Sequence, residues 1–168
     1  VVLQEIFGVN NHIRAVADRF AARGYLAVAP STFHRVQPGV DMGYTGDDMQ
    51  AGIALKAAVE GLPAPGVMPD IQAAIDYAAE RSGRKVGMVG FCWGGLLTWR
   101  AACTLTGLSA AVPYYGGGMT TPDEAARQLQ STLLGVETNV ANWQRRQNAN
   151  NNFTATIPYD MELQRKET

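Results

Sequence analysis

One cysteine sits where its neighbours would make it reactive. Cys92 lies in "VGMVGFCWGGLL" (Val86 to Leu97), with Gly90 two residues before it and Gly94 two residues after. A buried-strand pattern, "KVGMV", runs into this G-x-C-x-G stretch, and a helical pattern follows at once. That is the spacing of a nucleophile elbow, with a thiol in the place where a serine hydroxyl usually stands. The reason is steric. A nucleophile raised above a sheet occupies a sharp turn with unusual backbone angles, so the positions two before and two after it must be nearly free of side chain. The helix N-terminus there favours a thiolate, and the N–H of Trp93 can face a developing oxyanion. Two other readings share the pattern: a small residue packed in a glycine-rich turn, or a dinucleotide-binding turn. The glycines run G-x-x-G-x-x-x-G-G rather than G-x-G-x-x-G, and no acidic residue closes the next strand, "SAAVPYYGGG".

The other reactive residue types offer less. Cys103 lies mid-helix beside Ala101 and Ala102 and reads as packing. His12 and His34 lack metal-ligand spacing to any His, Cys or carboxylate and read as surface residues. Ser31, Ser82 and Ser109 have no elbow around them.

The elements that must position Cys92 follow a repeated grammar. "VVLQEI" is a short β-rich run, followed by Gly8 and by Asn10 and Asn11, which are good helix caps. Ile13, Val16, Ala17 and Phe20 then mark one face of a helix that stops near Gly24, and the apolar run "YLAVAP" follows. Ile71, Ala74, Ile75 and Ala78 mark a second helix, opening near Asp70 and closing at Gly83, before the strand that leads to Cys92. A helix from about Trp93 to Thr106 precedes "SAAVPYY". Strands apolar on both faces, alternating with amphipathic helices, predict an α/β fold: a parallel, doubly wound sheet with helices on both faces. Its strands are expected near residues 1–6, 25–29, 85–90 and 109–115, with the strand before Cys92 central. Residues 31–66, rich in Gly, Pro and Asp around the helical stretch "DDMQAGIALKAAVEGL", form an excursion of the kind that shapes a substrate site.

Several of these segments together resemble the dienelactone hydrolase family of the α/β-hydrolase superfamily. They are "QEIFGVN" (Gln4 to Asn10), "GYLAVAP" (Gly24 to Pro30), "DIQAAIDY" (Asp70 to Tyr77), "GFCWGG" (Gly90 to Gly95) and "VPYYGGG" (Val112 to Gly118). The resemblance implies a partial α/β-hydrolase fold with Cys92 as nucleophile and Glu5 as the glutamate that contacts and helps activate the thiol. It further implies an oxyanion hole from the backbone N–H groups of Ile6 and Trp93, and a pocket lined by Phe7, Tyr114 and Tyr115. The implied reaction is hydrolysis of a small-molecule carboxylic ester or lactone through a thioester, without metal or organic cofactor. Read from the residues alone, Glu5 could instead cap the following helix, and the two tyrosines could be core and surface residues.

The chain departs from the family after these segments. A hydrolase triad runs nucleophile, acid, histidine, yet no histidine follows Cys92, and neither Asp123 nor Asp160 maps convincingly as the acid. Between residues 36 and 83 the only arginine is Arg81, so no residue there matches the arginine that binds a substrate carboxylate in some members. Residues 1–130 read as the hydrolase-like domain, and 131–168 as a polar Asn/Gln-rich tail, expected to be disordered or foreign to the family. A break in reading frame near Gln130 accounts for both the missing histidine and the change of composition. A degenerate hydrolase fold kept for binding, or a nucleotide-binding module, is the alternative.

Bulk properties narrow the partners. The 168 residues suit one domain, 46% are hydrophobic, 17% are charged, and the net charge is −1. Such a balance points to neither nucleic acid nor any other polyanion as partner. "GLLTWRAACTLTGLSAAV" is interrupted by Arg100 and threonines and reads as no membrane span. The opening "VVLQEIFGVN" shows no targeting pattern and reads like the interior of a longer protein, while two cysteines without CxxC spacing suit a reduced, cytoplasmic setting.

Overall fold

A computed structural model describes residues 1–126. The expected tail after residue 130 and Asp160 lie outside these residues. Three strands form one parallel sheet in the order β1 (Val2–Leu3), β2 (Val86–Phe91), β3 (Leu108–Tyr114). β2 is central, as expected, because a strand apolar on both faces gains most where both of its edges and both of its faces are covered.

Alternation of side chains across the strands sorts the core into two layers. Val2 and Val89, paired in register, face one side, where they meet Ile13 and Val16 of α1 (Asn11–Ala21). Leu3, Met88 and Ala111 face the other, where α3 (Met68–Ser82) and α4 (Trp93–Thr104) pack. The sheet is therefore wound on both faces. Ile71, Ala74, Ile75 and Ala78 are all buried, as their spacing predicts, and Gly83 ends α3 with φ 62°. On α1, Phe20 remains 36% exposed and sits edge-on to Tyr25, so that helical face is buried only along its first turns.

Two expected strands differ. β1 is only two residues long, because Gln4 to Phe7 leave the sheet to build a turn against Val40 to Met42. The run near residues 25–29 is not a strand. A single bond, Val2 N–H to the Val28 carbonyl at 2.8 Å, ties it to β1. Among the described residues it has no partner on its outer side, and Tyr25 and Leu26 are exposed, so no ladder develops. The excursion contributes α2 (Gly46–Glu60), opened by a capping box between Thr45 and Asp48.

Candidate active site

The carboxyl ends of β1, β2 and β3 converge on Cys92. It stands between β2 and α4 with φ 54° and ψ −122°, a conformation that side-chain-bearing residues rarely adopt. Its N–H donates to the Tyr114 carbonyl (3.1 Å), and its own carbonyl accepts from Gly95 N–H (2.9 Å). The glycines around it are there for close backbone approach. A Cβ on Gly90 would run into the Gly94 carbonyl and Thr98 Oγ1. One on Gly94 would meet the Gln4 and Leu3 carbonyls, and one on Gly95 the Tyr114 carbonyl. These contacts press the elbow against both neighbouring strands.

Burial pushes the Cys92 thiol above its ordinary value, and the charge of Glu5 adds to the rise. The Trp93 backbone N–H on its sulfur and the Lys56 ammonium act the other way. The thiol is thus held largely protonated in a site that carries both a cation and an anion.

Glu5 does not cap α1. Asn10 does, its side chain accepting from Ile13 N–H at 3.2 Å. The Glu5 carboxylate instead accepts one tyrosine hydroxyl on each oxygen, from Tyr115 at 2.9 Å and from Tyr44 at 2.8 Å. Burial first, then the Glu5 charge and hydrogen bond, raise the Tyr115 phenol well above its ordinary range. Phe7 is buried and meets the Tyr44 ring edge-on at 4.6 Å. Ile6 is buried beneath α2, whose Gly52 leaves room for the Ile6 carbonyl. Tyr114 stacks on Phe91 at 5.2 Å within the α1-side cluster, whereas Tyr115, 52% exposed, turns towards Glu5.

Trp93 is fixed from the excursion. Its ring stacks on Phe33 at 5.3 Å, and its Nε1–H donates to Glu60 at 3.1 Å. Glu60 in turn pairs with Lys56 at 3.1 Å. Tyr44, Lys56, Glu60 and Phe33 escape a reading of the sequence. Lys56 and Glu60 look like an ordinary i,i+4 helix pair, and nothing local sets Tyr44 or Phe33 apart. Cys103 is buried in the core, and His12 and His34 are exposed.

The family model of the "Dienelactone hydrolase family" matches residues 1–160. The chain belongs to the dienelactone hydrolase family. It is 39% identical over 122 residues to a Synechocystis sp. protein named "Putative carboxymethylenebutenolidase", covering 71% of this chain and 48% of that protein. It is 36% identical over 121 residues to the Pseudomonas putida "Carboxymethylenebutenolidase", covering 71% and 50%. Against the crystal structure of a "Putative Dienelactone Hydrolase" from Klebsiella pneumoniae the TM-score is 0.54 at 34% identity, over 68% of this chain and 46% of that one. The chain spans about half the length of the curated relatives it matches. Its sheet, with helices on both faces, is therefore part of an α/β-hydrolase fold of the dienelactone hydrolase kind. Among the described residues no helix is long and apolar enough to cross a membrane.

Proposed function

We propose that the chain carries the acylation half of a cysteine-dependent hydrolase of small-molecule carboxylic esters or lactones. The observation that carries this reading is the backbone of Cys92, a non-glycine residue held at φ 54° between a central strand and a helix. Such a conformation persists only where the surroundings impose it, and it clusters at reactive sites. The names of the relatives support the same reaction class.

Acylation proceeds through a tetrahedral adduct. Glu5 takes the Cys92 proton, and the thiolate attacks the substrate carbonyl carbon. The N–H groups of Ile6 and Trp93 receive the oxyanion, Trp93 turning its donor from sulfur to oxygen. The tetrahedral adduct collapses to a thioester, and the departing alkoxide takes the proton back from Glu5. In this reading Phe7, Tyr114 and Tyr115 line the substrate pocket. A reduced, cytoplasmic setting suits two cysteines without CxxC spacing.

Deacylation is the impaired half. Water must be activated against the thioester, and no histidine follows Cys92 in the chain. In a serine hydrolase, loss of the histidine alone costs on the order of 10⁶ in kcat. An activated aryl ester should therefore give a single burst of phenol and an acyl adduct on Cys92 in peptide mass spectra. Steady turnover should stay far below about 1 s⁻¹. Cys92→Ala should abolish the burst. An adduct on Cys103 alone, or none, would overturn the nucleophile assignment. Steady turnover near that rate would overturn the impairment.

A further inference from the structure

Three distant segments meet on one carboxylate. Glu5 follows β1, Tyr44 lies in the excursion 39 residues on, and Tyr115 follows β3, 110 residues on. Each tyrosine is aimed by an independent device. Tyr115 has φ 39°, a left-handed conformation costly for an aromatic residue, and that turn brings its hydroxyl to Glu5. Tyr44 is braced edge-on by Phe7 and immediately precedes Thr45, the capping residue of α2. An exposed tyrosine gains little from a lone hydrogen bond to an exposed acceptor. Two such hydroxyls from unrelated segments, one on each oxygen of the same carboxylate, are a built arrangement.

We propose that Tyr44 and Tyr115 form a hydroxyl clamp that holds the Glu5 carboxylate beside Cys92, which makes Tyr44 a positioning residue for the thiol. The proposal rests on the reading of Cys92 as the nucleophile and adds to it the element that keeps Glu5 in place. A free glutamate side chain would spend most of its time turned to water. Clamped, it keeps a negative charge facing the sulfur and stays where it can take the thiol proton. The titratable and charged groups coupled to this cluster are Glu5 after β1, Tyr44 in the excursion, Lys56 of α2 with its partner Glu60, Cys92 and Tyr115. Glu5 raises the thiol and both phenols, and Lys56 opposes it at the thiol.

The test is the pH dependence of Cys92 alkylation by iodoacetamide, followed by peptide mass spectrometry in the intact chain. Glu5→Gln removes the charge and should lower the midpoint of the alkylation profile. Tyr44→Phe and Tyr115→Phe should lower it in the same direction, by about half a unit each. That is about threefold more thiolate at pH 7, and about twofold faster alkylation once the lower nucleophilicity of a weaker base is counted. In the Glu5→Gln background neither tyrosine substitution should shift the midpoint further. An unchanged midpoint in Tyr44→Phe overturns the clamp, and so does an equal shift when Glu5 is already gone. Alkylation requires no ester hydrolysis. Midpoint shifts without any acyl adduct from an ester would therefore reject the hydrolase reading and leave the clamp standing.

Discussion

A residue with a side chain at φ 54° and ψ −122° carries a backbone cost of about 1–3 kcal/mol, and Cys92 bears it. Cys92→Ala keeps that cost, whereas Cys92→Gly removes it. Ordinarily alanine is the more stabilising of the two, because glycine loses more backbone freedom on folding. Here the order should invert, with Cys92→Gly more stable than Cys92→Ala by about 1 kcal/mol in denaturant unfolding. Alanine at or above glycine would mean that the elbow stores no strain. Gly90, Gly94 and Gly95 belong to the same account. Each faces a carbonyl of an adjacent segment, so their role is clearance for backbone rather than freedom of φ.

Among the elements, α2 has the least obvious task. Its pattern does not mark a single apolar stripe, and Met49 and Ile53 are exposed. It is seated through Gly52, where an added Cβ would strike the Ile6 carbonyl and lie 3.1 Å from Ile6 Cγ1. A glycine-to-alanine change inside an exposed helix stabilises by up to about 1 kcal/mol. At position 52 the gain should be outweighed by overpacking of about 1–3 kcal/mol, because a backbone carbonyl cannot step aside as a flexible side chain does. Gly52→Ala should therefore lower the Tm. The same displacement moves Ile6, so acylation of Cys92 should slow as well. A Tm equal to or above that of the parent would show that α2 is not anchored at this point.

Over the whole molecule, the site leaves its mark on stability as a function of pH. Cys92, Tyr44 and Tyr115 all have their proton affinity raised on folding, burial being the first cause for each. Groups shifted upwards contribute stability that is fully present below their ordinary values, 9.0 for the thiol and 10.0 for the phenols, and is lost as pH rises through the raised ones. The chain should hold its Tm up to about pH 9 and then fall, as the unfolded state releases these protons more readily. Tyr115→Phe removes the most strongly shifted phenol and should flatten the fall above pH 10. An alkaline slope unchanged by that substitution would place the loss of stability elsewhere.

Much of this arrangement can be read from the residues without coordinates. Apolar spacing locates α3 with its whole buried face and α1 with the part along its first turns, because the period of a helix is local and leaves its mark within a few residues. Glycines at Gly90 and Gly94 locate the elbow, because close approach of backbone forbids a side chain whatever the rest of the chain does. Local patterns fail where pairing decides. Residues 25–29 have the composition of a strand, yet a strand exists only through a ladder, and one bond from Val2 does not make one. Glu5 could be a helix cap or a site carboxylate by sequence alone. Only the meeting of Tyr44 and Tyr115 on its two oxygens shows what holds it. Lys56, Glu60 and Phe33 likewise join the site through the packing of the excursion against Trp93. Their contribution depends on contacts between segments 33 and more residues apart, which no local periodicity encodes.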